Sequence, residues 1–308
     1  MIRDIAEAGA WLEGLINVER RPDWPYSRLG LGPIRALLAR LGSPEQGLAC
    51  IHVAGSKGKG STALFAEALL GAVGERVGTF TSPHLERWTE RVRIGGREVD
   101  AAALAAAVER VRPHVEALRR ETPEQAPTFF DATTAAALVC FRESGVDRAV
   151  LEVGLGGRLD STNVVTPQVA CITSIELEHT DRLGDTLAAI AGEKAGILKR
   201  AVPCVVGDLP REALTVVEAR AQELGVPLAR AGVDFEGVAL GGGRVRLEDG
   251  SLCVETELAS PAPHQAHNAS LALACVRRAE GVDPALLADR AAAALAGTAL
   301  PGRAELLR

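Results

Sequence analysis

The run Ile51-His52-Val53-Ala54-Gly55-Ser56-Lys57-Gly58-Lys59-Gly60-Ser61-Thr62 decides how this chain is read. A short apolar stretch closes on a glycine-punctuated turn, and a helical pattern from Thr62 to Val73 follows at once. That is strand, loop and helix N-terminus in the order that phosphate binding needs. Gly55, Gly58 and Gly60 let backbone N–H groups face inward with no Cβ in the way, and the helix start adds unpaired donors and partial positive charge. Lys59 can reach the outer phosphates, and the Ser61 hydroxyl can sit on a bridging Mg²⁺. The spacing departs from G-x-x-x-x-G-K-[ST], because Gly60 separates Lys59 from Ser61. The flanking strand and helix support a nucleotide site over Gly55, Ser56, Lys57, Gly58, Lys59, Gly60, Ser61 and Thr62.

Working outward, 308 residues suffice for one large or two small domains. Hydrophobic residues are 47% and charged ones 24%, an ordinary globular balance. Asp and Glu number 40 against 34 Lys and Arg, so the net charge is −6. With no basic arm and no aromatic–basic interleaving, a nucleic-acid partner is not expected. No apolar stretch matches a bilayer span, and Met1 to Glu7 holds no uninterrupted apolar core of a signal peptide. Six scattered cysteines without a C-x-x-C pair read as buried free thiols, neither zinc site nor disulfide frame. The expected location is therefore cytoplasmic.

Along the chain, residues 3–16 show helical periodicity, a Pro-rich loop holds Pro22 and Pro25, and Pro33 to Leu41 suits a short helix. After the phosphate loop, Arg76 to Phe80 reads as a strand that opens into Thr81-Ser82-Pro83-His84-Leu85. Residues 101–120 and Thr128 to Phe141 read as helices. Arg148 to Val153 and Val169 to Ser174 are apolar, β-branched runs suited to a sheet buried on both faces. Helices over Thr186 to Lys199 and Glu212 to Leu224 alternate with strands at Pro203 to Val206 and near Val226. The alternation predicts an α/β fold with a mainly parallel sheet and flanking helices. Around 232–260, Gly241-Gly242-Gly243 and Asp249-Gly250 break the rhythm into one or two β-hairpins, before helices over Gln265 to Glu280 and Pro284 to Leu295.

Three further segments carry chemistry. Glu152 stands inside an apolar run just ahead of Gly154-Leu155-Gly156-Gly157. A carboxylate there is costly unless a cation faces it, so Glu152 is a candidate Mg²⁺ ligand, against the plainer reading of a salt-bridged or protonated strand acid. The turn is no dinucleotide fingerprint, since Leu159 stands where a third glycine would. His179 ends the polar cluster after Val169 to Ser174, and taken alone it is more often structural than a ligand. Lys194 follows Glu193 on a helix, which by itself suggests a solvated pair.

Taken together and in order, these blocks resemble folylpolyglutamate synthase/dihydrofolate synthase of the Mur ligase superfamily. The matching segments are His52 to Ser61, Thr81 to Leu85 with Glu90-Arg91, Thr128 to Asp131, and Glu152 to Asp160 with Thr162-Asn163. His179-Thr180-Asp181, Glu193 to Ile197, His264-Gln265 with Asn268-Ala269, and Pro301-Gly302-Arg303 complete the series. The resemblance implies ATP-dependent amide formation between a folate or dihydropteroate carboxylate and L-glutamate, through an acyl phosphate, with Lys59 beside the phosphates. It implies a first Mg²⁺ held by Ser61 and Glu152, a second helped by His179, and a carbamylated Lys194. It also implies nucleotide contacts from Asn268 and Arg303, and an acceptor-substrate loop over Thr81, Ser82, Pro83, His84 and Leu85.

Several positions depart from the family's pattern. Ser56-Lys57 replaces the commoner Thr-Asn and adds a cation by the phosphates, Asp131 replaces Glu, and Glu176 and Glu178 replace Gly and Asp. The expected organisation is one ATP-binding central domain with N-terminal helices over 1–300, then a 301–308 stub of the linker to a C-terminal domain that is missing or is supplied as a separate subunit. Two alternatives stay open: another Mur-type ligase, or a nucleotide-binding module without ligase activity.

Overall fold

The computed structural model describes residues 2–17 and 29–302. The Pro-rich loop at Pro22 and Pro25, and Arg303, lie outside them. The helices are α1 (Ile5–Glu13), α2 (Leu31–Arg40), α3 (Lys59–Ala72), α4 (Ala101–Glu121), α5 (Phe129–Glu143), α6 (Thr180–Leu183), α7 (Leu187–Ala195), α8 (Arg211–Leu224), α9 (His264–Arg278) and α10 (Pro284–Ala296). The strands are β1 (Ala49–Ala54), β2 (Val77–Phe80), β3 (Val92–Ile94), β4 (Arg97–Glu98), β5 (Arg148–Glu152), β6 (Val169–Ile172), β7 (Cys204–Val206), β8 (Leu228–Arg230), β9 (Phe235–Gly241), β10 (Arg244–Asp249) and β11 (Leu252–Glu257).

Eight strands form one sheet in the order β4-β3-β2-β5-β1-β6-β7-β8. From β2 to β8 every neighbouring pair is parallel, and β3 and β4 add an antiparallel edge. The sequence reading missed those two edge strands, which are short and carry charges at three of their five positions. The mainly parallel prediction holds because the central strands are buried on both faces. On β1, Ile51 and Val53 pack with α3 and α9, while Cys50 packs on the opposite layer with α2, α4 and α5. A third apolar cluster joins β6 and β7 to α7 and α8. Residues 235–257 form a separate three-stranded antiparallel sheet, two hairpins sharing β10. Asp249 at the predicted hairpin turn is buried and tied by Arg277 and Arg278 of α9, which fixes that sheet to the main body.

The carboxyl ends of β5, β1 and β6 lie side by side, and open α/β sheets bind ligands at such ends. Two readings need correction here. Helix α3 starts at Lys59, three residues before Thr62, because Gly58 supplies a left-handed N-cap (φ +82°) that turns the chain into the helix early. Of the six free cysteines five are buried, but Cys253 is exposed, because it sits on an outward-facing position of β11.

Candidate functional site

The loop after β1 is built by backbone. At Gly55 (φ +150°) a Cβ would collide with the Thr173 hydroxyl, and at Gly58 it would run into the Asn268 side-chain oxygen. Only glycine permits this closeness. The loop is stapled to the segment after β6: Ser56 N donates to Ser174 O (2.8 Å), Lys57 N to Ser174 Oγ (2.9 Å), and Thr173 Oγ1 to Lys57 O (2.5 Å). Glu176 N donates to Ser56 Oγ (2.9 Å). The loop shape is therefore set by its tertiary neighbours, with the unpaired first-turn donors of α3, including that of buried Ser61, at its far end. Lys59 folds back, its Nζ donating to Gly55 O (2.8 Å) and Ser56 O (3.0 Å). Asn268 stands over Gly58, held by Gln265 through Nδ2 to Oε1 (2.9 Å), so the start of α9 borders the same loop.

Lys57 corrects one expectation. Its Nζ lies 2.6 Å from Glu176 Oε2, both exposed, so the extra cation is paired with another departure from the family pattern and is not left facing the phosphates. Such an exposed pair contributes little to stability. Lys194 corrects another. It is 1% exposed and donates to Glu178 Oε1 at 2.8 Å, while Glu193 pairs with Arg158 at 2.7 Å. The buried face of α7 turns Lys194 inward, which helical adjacency to Glu193 concealed. Burial, then the charge of Lys59, lowers Lys194 to about 8, with Glu178 opposing. Burial pushes Glu178 up, and the charge and hydrogen bond of Lys194 outweigh it, so this carboxyl ends below its ordinary value.

Glu152 closes β5, is 2% exposed, and accepts from Ser82 N at 3.0 Å. His179 is exposed and takes a left-handed conformation (φ +46°) as the N-cap of α6. Gly55, Lys59, Gly154, Leu155, Glu178, His179 and Lys194 converge on one narrow cleft. Among the described residues no three His, Cys, Asp or Glu side chains are grouped to hold a metal ion by themselves. A single carboxylate and a hydroxyl near a phosphate loop still suit Mg²⁺, which takes one or two carboxylates, phosphate oxygens and water.

A cavity of about 520 Å³ lies across the turn 154–161 from that cleft. Ile16, Pro33, Phe130, Leu155 and Leu159 give it apolar walls, and Asp131, Asp160 and Ser161 give it polar ones. Sequence reasoning did not single out Phe130, Leu155 or Leu159 as site residues. The Phe-Phe-Asp entry to α5 was the available signal, but its partners lie far away in the chain. Asp131 completes a capping box, Thr128 N to Oδ2 (2.8 Å) and its own N to Thr128 Oγ1 (3.2 Å), and takes Ser161 Oγ at 2.6 Å. Burial raises its carboxyl above the ordinary value. Asp160 accepts from Gly154 N and Leu155 N, both 3.0 Å, and burial pushes it up to about 6. The segment Thr81 to Leu85 borders two other spaces. One of about 410 Å³ is rimmed by Glu86, Arg87, Glu90 and Arg93, and a smaller one lies by Trp88 and Arg91, where Arg91 Nε donates to His84 Nδ1 at 2.7 Å.

The profile of the Mur ligase middle domain matches residues 53–276. The dihydrofolate synthase/folylpolyglutamate synthase of Bacillus subtilis is 38% identical over 98% of this chain and 70% of its own length. A Mycobacterium tuberculosis folylpolyglutamate synthase complexed with ADP superposes with a TM-score of 0.84 at 34% identity, over 97% of this chain and 66% of that one. An Escherichia coli FolC structure in complex with DHPP and ADP gives 0.81 at 34%, over 98% and 68%. The chain spans 33% to 70% of the length of the first curated relatives it matches.

Proposed function

We infer the activity of this chain from one premise: it belongs to the dihydrofolate synthase/folylpolyglutamate synthase family of Mur ligases, which are ATP-dependent ligases. On that premise it joins L-glutamate to the carboxylate of a folate or dihydropteroate. The observation that carries this reading is the shared wall: Gly154 and Leu155 line both the phosphate cleft and the apolar cavity. A donor phosphate and an acceptor carboxylate can meet there and nowhere else among the described cavities.

In the proposed reaction the acceptor carboxylate attacks the γ-phosphorus of ATP, releasing ADP and leaving an acyl phosphate. The amine of glutamate then attacks that carbonyl carbon and phosphate departs. Backbone donors of Gly58 to Ser61, at the start of α3, orient the phosphates, and Lys59 exchanges its loop carbonyls for them, which concentrates positive charge where negative charge develops. Asn268 borders the nucleotide, and Arg303 belongs to the same proposal. The apolar cavity suits a flat aromatic ring system, with Asp131 offering an acceptor to a ring N–H group, and Thr81 to Leu85, which border neighbouring spaces, belong to the same proposal as an acceptor-substrate loop. When bound, Mg²⁺ neutralises phosphate charge; Ser61 and Glu152 would hold one ion, and His179 with a carbamylated Lys194 a second. A buried amine lowered to about 8 keeps a neutral fraction that can take up CO₂, which supports the carbamylation proposal. The proposed location is cytoplasmic, in keeping with six free thiols.

The test is incorporation of labelled L-glutamate into dihydropteroate or tetrahydrofolate with Mg·ATP, alongside titration of AMPPCP. Incorporation supports the ligase. Nucleotide binding with no incorporation favours the second reading, a nucleotide-binding module.

A further inference from the structure

His52 lies at the centre of the sheet, fully buried, and no step of the reaction above uses it. Its neighbours on β1, Ile51 and Val53, face α3, so His52 faces the other layer, toward residues 161–164. There its Nε2 lies 2.8 Å from Thr162 Oγ1. Thr162 in turn donates its hydroxyl proton to Asp160 Oδ1 in a short bond, and its backbone N reaches the same oxygen at 3.0 Å. The other Asp160 oxygen takes Gly154 N and Leu155 N.

The direction of the chain of bonds follows from proton counting. An ionised Asp160 has no proton to give, so the single Thr162 hydroxyl proton goes to it. Thr162 Oγ1 can then only accept from His52, which fixes the imidazole as the Nε2–H tautomer. His52 Nδ1 becomes a bare lone pair, and it is buried without a hydrogen-bond partner among the described residues. An unsatisfied buried nitrogen costs free energy, so the single bond that His52 makes is what is set against that cost. Burial also lowers His52 to about 3, so it stays a neutral donor through the physiological range.

We propose that His52 is a positioning residue that holds, through Thr162 and Asp160, the Gly154–Leu155 wall between the phosphate cleft and the acceptor cavity. β1 ends in the phosphate loop, so one strand carries the nucleotide site at its tip and the support of the acceptor wall in its middle. Loss of the bond frees the Thr162 hydroxyl to rotate, loosens Asp160, and lets the two amides drift. The acceptor cavity then loses definition, while the loop keeps its staples to Thr173, Ser174 and Glu176.

This rests on the function proposed above, and two readouts separate the two. Amide hydrogen exchange at Gly154 and Leu155 reads the wall without any ligand. His52→Leu is expected to speed it at least about tenfold, and His52→Gln, which keeps a donor near the Nε2 position, to restore most of the protection. Titration with dihydropteroate is expected to show at least about tenfold weaker binding in His52→Leu, with AMPPCP affinity within about twofold. If His52→Leu does not fold, Thr162→Val carries the same expectations and Thr162→Ser the recovery. Unchanged exchange at both amides overturns the proposal, as does equal weakening of both ligands, which would mark a merely structural histidine. An Nδ1–H tautomer, read by nitrogen-15 NMR of the imidazole, also overturns it. If the unaltered chain binds no dihydropteroate, the function reading fails, and exchange and tautomer still decide the role of His52.

Discussion

The two spaces that meet at Gly154–Leu155 are made in opposite ways. The cradle of the phosphate cleft comes from consecutive residues, a strand, a loop whose glycines admit close neighbours and a helix start within residues 49–72, with residues 153–156, 178–179 and 194 closing its other side. The acceptor cavity is a product of distance, with walls from residues 16–17, 29–33, 123–131 and 154–161, segments far apart in the chain. Backbone makes the first and side chains the second. The first should therefore fail sharply when one backbone angle is denied, and the second gradually, wall by wall.

Gly58→Ala tests the sharp case. It forces a Cβ onto a left-handed residue and into Asn268, a backbone penalty of about 1–2 kcal/mol before the clash is relieved. Calorimetric titration should show Mg·ATP affinity down roughly a hundredfold, with dihydropteroate affinity within about threefold. Comparable losses for both ligands would mean that the two spaces are one cooperative site.

Phe130→Ala tests the gradual case. The ring packs on Gly154 and lies 5.8 Å from the Phe80 ring, half-buried. Truncation should lower stability by about 2 kcal/mol, less than for a full core phenylalanine. It should weaken dihydropteroate roughly tenfold and leave AMPPCP binding alone. A nucleotide defect as large as the acceptor defect would erase the contrast.

The smallest effect is in acid. Burial holds folded His52 neutral down to about 3 against an ordinary 6.5, so between those values the unfolded chain binds the proton first. Stability attached to His52 is thus present above about 6.5 and is lost as pH falls toward 3. Asp160, raised by burial to about 6, takes its proton first in the folded state and offsets part of that loss. Thermal melts at about pH 7 and about pH 4.5 should therefore show a drop larger by roughly 5 °C in the unaltered chain than in His52→Gln. Equal drops would show that His52 protonates as freely folded as unfolded.

What was legible in the sequence follows the same division. The phosphate loop, the parallel strands and the hairpin region could be read because glycine placement, period and apolar runs are local properties. The edge strands Val92–Ile94 and Arg97–Glu98 could not, since two or three residues carry no period. Helical adjacency alone makes Lys194 a solvated partner of Glu193, and only the family resemblance singles it out, whereas packing of α7 against the sheet buries it beside Glu178. Lys57 looked like a free cation because nothing in its neighbourhood announces Glu176, more than a hundred positions along, as its partner.

By itself, then, the sequence determined that a phosphate-binding turn joins a buried strand to a helix in a mainly parallel α/β fold, because backbone freedom and hydrophobic period are written in consecutive residues. Tertiary structure alone decided that Phe130, Asp131 and Leu155 enclose one cavity, that Lys194 is buried against Glu178, and that His52 reaches Asp160 through Thr162. Those relations rest on side chains brought together across the sheet, where burial sets both the electrostatics and the hydrogen-bond partners.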